Sequence, residues 1–298
     1  MRGLIVLLCV AMLAGCSSGR NDQAPQLAGP ASTAPQPTLN EYAVPIVEQR
    51  AYAAIVVDAR TGKILHEENA TSLRYPASLT KMMTLYLVFE KMNAGQWTGT
   101  TALQVSAEAA SRPPAKLGVK AGTSIPVDTA VRALAVRSAN DVAVVIAENI
   151  AGSEDAFARQ MTAKARALGM SQTSFVNASG LPDDRQYTSA RDMAILGKAL
   201  SDRFPNEFRY FTTPKISYGG RTWTNTNKLL GKVPGVNGIK TGYIRASGFN
   251  LVSSVERGGK HIIVVVIGGR TGASRDAQVK ALIEEYLPQA SGGGLFGL

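Results

Sequence analysis

Strand-like runs stand at the two ends of residues 49–288, and helical periodicity fills the space between them. Residues 51–57 are apolar and end in β-branched side chains, Asp58-Ala-Arg-Thr-Gly62 supplies a turn, and residues 64–67 return, which predicts a hairpin. Late in the chain, strands are predicted over residues 239–243, 249–255 and 261–267, the last two joined through Gly258-Gly259. Between these ends a helix is predicted from Ser78 through Met82, Met83, Leu85, Tyr86 and Phe89, apolar enough on all sides to be buried. Further helices are predicted over 127–136, 141–151, 154–168 and 189–200. The stretch 273–287 places Val279, Leu282, Ile283, Tyr286 and Leu287 on one helical face. The expected class is α+β, with an antiparallel sheet built from terminal segments, flanked by helices, and a helical subdomain inserted. No internal repeat is apparent.

The first 48 residues lie outside this pattern. Arg2 precedes an apolar run from Leu4 to Leu13, too short to span a bilayer core, which needs about 20 residues, but suited to a secretory signal. Leu13-Ala14-Gly15-Cys16 closes the run and resembles a bacterial lipobox, so residues 1–15 are expected to be a lipoprotein signal peptide and Cys16 the lipidated first residue. A plain signal peptide with an incidental cysteine is the alternative. Residues 16–48 read as a proline-rich solvated linker with no hydrophobic period. Residues 289–298 form a glycine-rich tail. The expected product is exported and held by its lipid on the periplasmic face of a bacterial membrane. Ser17, in place of an aspartate after Cys16, favours the outer membrane in a Gram-negative cell.

Residue usage excludes several chemistries. Both cysteines, Cys9 and Cys16, lie in the leader region, so neither a disulfide framework nor a cysteine-ligated zinc site is expected further on. The two histidines, His66 and His261, are expected to be plain strand residues. No metal and no cofactor is expected. The net charge of +10 raises the possibility of nucleic-acid binding, but export removes that partner and leaves a basic protein suited to an anionic cell envelope.

Three short motifs carry the chemistry. Ser78-Leu79-Thr80-Lys81 puts a hydroxyl and an amine on one face of a helix. Serine is a poor nucleophile until a neighbour takes its proton, and a lysine can do so when burial or nearby charge lowers its pKa. Taken alone, the same residues could be a helix N-cap and an exposed lysine. Ser138-Ala139-Asn140 stands between two predicted helices, where a hydroxyl and an amide could share a cleft or else cap the helix at Asp141. Lys240-Thr241-Gly242 lies within a strand, where the lysine and hydroxyl could hold an anion and the glycine marks close approach by another backbone.

In this order the three motifs match the signature of class A β-lactamases and penicillin-binding proteins. The chain resembles the D-alanyl-D-alanine carboxypeptidase family of low-molecular-mass penicillin-binding proteins, serine peptidase family S11. Tyr75-Pro-Ala-Ser-Leu-Thr-Lys-Met-Met-Thr84, Phe175-Val-Asn-Ala-Ser-Gly-Leu181, Thr188-Ser-Ala-Arg-Asp-Met193, Gly238-Ile-Lys-Thr-Gly-Tyr243 and Gly268-Gly-Arg270 extend the resemblance over residues 49–288.

The resemblance implies a β-lactamase/transpeptidase-like fold and a serine-type carboxypeptidase that removes the terminal D-alanine from peptidoglycan stem pentapeptides and is acylated by β-lactams. It implies Ser78 as nucleophile, Lys81 as general base and Ser138 as proton relay. Asn140 would hold a substrate amide, and the backbone N–H groups of Ser78 and Tyr243 would form an oxyanion hole. Lys240, Thr241 and Arg275 would receive the terminal carboxylate, with Gly242 beside them. A D,D-endopeptidase acting on crosslinked peptidoglycan would use the same residues. A β-lactamase is the less favoured alternative, because Gly180-Leu-Pro-Asp-Asp-Arg-Gln186 lacks a deacylating glutamate.

Overall fold

The computed structural model describes residues 47–292; the signal peptide, Cys16, most of the linker and the last six residues lie outside them. A hairpin of β1 (Ala53–Asp58) and β2 (Ile64–Glu68) opens the fold, and α1 (Lys81–Asn93) follows a 3-10 turn at Ala77–Thr80. A helical region comes next: β3 (Ala102–Gln104), α2 (Ala107–Ser111), β4 (Ser124–Pro126), α3 (Val127–Arg132), α4 (Asn140–Ala151) and α5 (Glu154–Ala167). Then come α6 (Ala190–Arg203), α7 (Pro205–Phe208) and the small hairpin of β5 (Lys215–Tyr218) and β6 (Arg221–Thr224). The chain closes with β7 (Val236–Ile244), β8 (Gly248–Arg257), β9 (Lys260–Gly269) and α8 (Gly272–Tyr286).

The main sheet has the order β2-β1-β9-β8-β7, every pair antiparallel, so the first and last strands of the chain meet at its centre through β1 and β9. Both faces are covered. Ala54, Val56, Ile262, Val264 and Val266 pack on Val279, Leu282 and Ile283 of α8, while Ile55, Val57, Ile263 and Val265 join the core shared with the other helices. This explains the unbroken apolar run of β9, since a strand buried on both sides has no solvent face to mark with polar residues. Burying each such side chain contributes about 1.5–3 kcal/mol.

α1 runs through the middle of the molecule, with Met82, Met83, Leu85, Tyr86, Val88 and Phe89 fully buried. Three later helices start where the sequence supplies a hydroxyl: Ser153 accepts from Ala156 N–H, Ser189 from Asp192 N–H, and Thr271 forms a capping box with Ser274. At the C-terminal end Ala290 is buried, and Ser291 N–H donates to Asp58 at 2.7 Å, tying this end of the chain to the first hairpin turn. Among the described residues no helix is long and apolar enough to cross a membrane.

Candidate active site

Ser78 does not open a regular α-helix. It sits in the 3-10 turn Ala77–Thr80, which begins after Pro76 without a side-chain cap, and α1 starts only at Lys81. Side chains at i and i+3 eclipse in 3-10 geometry, and Lys81 Nζ accordingly lies 3.1 Å from Ser78 Oγ. The alternative of a helix N-cap and an exposed lysine does not hold: Ser78 makes no cap hydrogen bond, and Lys81 is fully buried.

The lysine is held by two further acceptors. Its Nζ donates to Asn140 Oδ1 at 2.9 Å and to the carbonyl of Ser179. Burial, and then the charge of Lys240, push its pKa well below the ordinary lysine value, with Glu154 and Asp141 opposing. A neutral amine beside a serine hydroxyl can take its proton.

Ser138 follows a π-helical stretch, Ala133–Arg137, that continues α3 and ends on Ser138 in the left-handed conformation at φ 62°. Such π-turns often occur at functional sites. Ala139, not Ser138, stands at the N-cap of α4, and no side chain caps that helix. Ser138 lines the cleft, and its hydroxyl is buried and makes no hydrogen bond among the described residues. Asn140 is less open to a ligand than its motif suggests. Its Oδ1 holds Lys81 and its Nδ2 donates to Pro113 O at 3.1 Å, leaving one amide hydrogen.

β7 forms the opposite wall. A Cβ built on Gly242 would stand 3.1 Å from Pro76 O and 3.2 Å from the backbone nitrogens of Ser78 and Leu79, so a side chain here would push the turn back by a few tenths of an ångström. Thr241 Oγ1 donates to Thr226 Oγ1 at 2.7 Å, and both residues line the cleft. Lys240 lies behind that wall, 1% exposed, with Nζ donating to Thr241 O at 2.9 Å. Burial and the neighbouring Arg275 charge push its pKa down to about 7.

Arg275 is buried near the start of α8 and lines the cleft. Its Nε donates to Asp276 Oδ1 at 2.7 Å and its Nη1 to Asn250 O at 2.6 Å. Tyr243 is 52% exposed at the rim, its ring against Phe249 at 4.3 Å. Together these groups line a cleft of about 560 Å³. Arg137, stacked over Trp223 at 5.8 Å, and Lys228 add positive charge to its lining.

Sequence reasoning passed over Ser179, Thr226, Glu154 and Asn250. Asn250 had a signal, a polar residue in an apolar strand: its Oδ1 accepts from Gly268 N–H at 3.0 Å and its carbonyl holds Arg275. Ser179 acts through its carbonyl, which no side-chain pattern reveals. The histidines stay in strands away from the cleft, His66 beside Tyr286 and His261 bonded to Ser254 at 2.9 Å. Among the described residues no group of three or more His, Cys, Asp or Glu is placed to hold a metal ion.

A family model described as D-alanyl-D-alanine carboxypeptidase, peptidase S11, matches residues 38–271. The D-alanyl-D-alanine carboxypeptidase DacA of Escherichia coli is 39% identical over 247 residues, 80% of this chain and 61% of that protein. DacF of Bacillus subtilis is 34% identical over 244 residues, again covering 61% of its length, so this chain spans about three fifths of these relatives. Penicillin binding protein 5 of Haemophilus influenzae superposes with a TM-score of 0.76 at 32% identity, covering 81% of this chain and 71% of that one. Penicillin-Binding Protein D2 of Listeria monocytogenes, solved in its cefotaxime-bound form, gives 0.68 at 29% identity, covering 80% and 98%. The sheet with its helices therefore has the transpeptidase/β-lactamase fold. The chain belongs to the D-alanyl-D-alanine carboxypeptidase family, peptidase S11.

Proposed function

We propose that the protein is a serine-type D-Ala-D-Ala carboxypeptidase that trims the terminal D-alanine from peptidoglycan stem pentapeptides. One observation carries the reading: a fully buried Lys81, its pKa lowered, lies 3.1 Å from the hydroxyl of Ser78 at the floor of a basic cleft. Ser78 Oγ attacks the carbonyl carbon of the penultimate D-alanine while Lys81 takes its proton. The backbone N–H groups of Ser78 and Tyr243 stabilise the oxyanion. Collapse of the tetrahedral adduct breaks the C–N bond, and the unpartnered Ser138 hydroxyl passes a proton from Lys81 to the departing amine. Water then cleaves the ester, giving a proton back through Lys81 and restoring Ser78.

The terminal carboxylate meets Thr241 and Arg275, with Lys240 behind them. Asn140 steadies Lys81 and offers its remaining amide hydrogen to the substrate. A β-lactam acylates the same serine, but its opened ring stays attached and holds the leaving group in the cleft. The lipidated Cys16 anchors the enzyme through the 16–48 linker at the periplasmic face of a bacterial membrane, the outer membrane in a Gram-negative cell.

Incubation with a pentapeptide, a crosslinked muropeptide and nitrocefin tests the reading. Release of D-alanine from the pentapeptide, lost in Ser78→Ala together with labelling by fluorescent penicillin, supports it. Cleavage of the muropeptide alone makes the protein an endopeptidase, and rapid nitrocefin turnover makes it a β-lactamase. Cys16→Ser should abolish incorporation of labelled palmitate; continued incorporation overturns the lipid anchor.

A further inference from the structure

Glu154, the first residue of α5, is absent from the cleft lining, yet it joins the loop whose Ser179 carbonyl holds Lys81 to the loop that fixes Asn140, the other holder of Lys81. Its Oε2 pairs with Arg112 Nη2 at 2.5 Å, and its Oε1 accepts the Ala178 N–H at 2.9 Å. The Arg112 loop supplies Pro113 O and Ala115 O, which fix the side chain and backbone of Asn140 at 3.1 and 2.7 Å. The Ala178 loop supplies the Ser179 carbonyl, and Thr84, on α1 with Lys81, donates to Ala178 O at 2.7 Å. Both oxygens that hold the Lys81 ammonium, apart from Ser78 itself, thus belong to segments tied to one carboxylate.

Resting on the reading of Lys81 as the base, we propose that Glu154 is a positioning residue for Lys81, clamping from outside the cleft the segments that carry Asn140 and Ser179. The side chain of Glu154 is only 13% exposed, so its charge is weakly screened. The charged groups facing Lys81 are Lys240 on β7, Asp141 on α4 and Glu154 on α5, and Glu154 outweighs Asp141 in favouring the protonated lysine. The Asp141 carboxylate is meanwhile occupied by the backbone N–H groups of Leu117, Gly118, Val119 and Val142. Around Glu154 itself stand Arg112 and, 3.0 Å from the same guanidinium nitrogen, Glu108. Glu154 therefore does two things at once: it holds the acceptors in place and supplies negative charge that opposes loss of the Lys81 proton.

The test is the pH dependence of acylation by fluorescent penicillin in wild type, Glu154→Gln, Glu154→Asp and Arg112→Ala, with Tm measured alongside. Glu154→Gln keeps an oxygen for Ala178 N–H but removes the charge, so the acidic limb should move to lower pH by roughly half a unit to one unit. Its plateau rate should fall about tenfold or more as the Arg112 loop is released. Arg112→Ala removes the opposing cation and should move the limb the other way, while Glu154→Asp should return it towards the wild-type position. A purely structural glutamate would lower Tm or rate and leave the limb where it is. Unmoved limbs in Glu154→Gln and Arg112→Ala overturn the proposal, and if Glu154→Gln does not fold, the Arg112→Ala shift decides alone. Should wild type lack a limb that depends on Lys81, the reading of Lys81 as base fails instead.

Discussion

Gly180 lies so close to Ala77 that a Cβ on the glycine would stand 1.8 Å from the Ala77 carbonyl oxygen and 2.9 Å from the backbone nitrogen of Ser78. Both residues have positive φ, +82° at Gly180 and 47° at Ala77. The loop whose Ser179 carbonyl holds Lys81 therefore abuts the turn that carries Ser78. In Gly180→Ala the left-handed backbone alone costs about 1–2 kcal/mol, and the clash forces the two segments apart. The expected outcome is a Tm several degrees lower and acylation reduced on the order of a hundredfold for a displacement of about 1 Å. Thermal melts and penicillin labelling measure both, and wild-type labelling kinetics would show that the contact does not position Ser78.

Ser138→Ala should separate stability from turnover. The Ser138 hydroxyl is buried without a hydrogen-bond partner among the described residues, and such a group costs about 1–3 kcal/mol. Its removal is expected to leave Tm unchanged or raised while D-alanine release falls by about a hundredfold. A clear drop in Tm would reveal a structural role for the hydroxyl.

Lys240 gives stability a distinctive pH dependence. Its pKa is about 7 in the folded protein against the ordinary 10.5, set by burial and then by Arg275. Between those values the unfolded chain binds the extra proton, so stability rises with pH through this window and is lost as pH falls towards 7. At about 1.4 kcal/mol per pH unit, the full change is several kcal/mol. The Tm of wild type minus that of Lys240→Gln should therefore climb between pH 7 and pH 10, and a flat difference would mean that Lys240 titrates normally.

Arg275→Ala should affect substrates unequally. Arg275 reaches the cleft beside Thr241, and Asp276, the only acid lining that cleft among the described residues, is already bonded to it. Hydrolysis of peptides ending in a free carboxylate should lose about 1.5–3 kcal/mol of charge-assisted contact, roughly ten- to a hundredfold in kcat/KM. Acylation by a carboxylate-free ester analogue should lose less. Equal losses on both would make Arg275 a support for Asn250 and the α8 start, not a substrate contact.

Much of this site can be read along the chain because its chemistry comes in short motifs, each within a few consecutive residues. Ser78 and Lys81 are three residues apart, and the close approach at Gly242 follows from a glycine inside a strand. The sheet is legible for a related reason, since β8 and β9 are apolar runs joined by two glycines. What escapes sequence reasoning is made by packing. Lys81 is fully buried, its amine held by Ser78, Asn140 and the Ser179 carbonyl, which come from three separate parts of the chain. The 3-10 turn at Ser78 and the π-turn before Ser138 leave no periodic trace, being a few residues long. The three-residue strands β3 and β4 likewise fall below the length at which alternation becomes visible.

β7 borders the cleft at one edge of the main sheet and pairs, among the described strands, with β8 alone. An edge strand presents a row of open backbone donors and acceptors. Under the proposed function, an extended peptide laid along Thr241–Tyr243 would join the sheet as a sixth, temporary strand, held by its main chain. Such a docking rail would tolerate variety in the body of the peptide and leave discrimination to the anionic end proposed to meet Arg275.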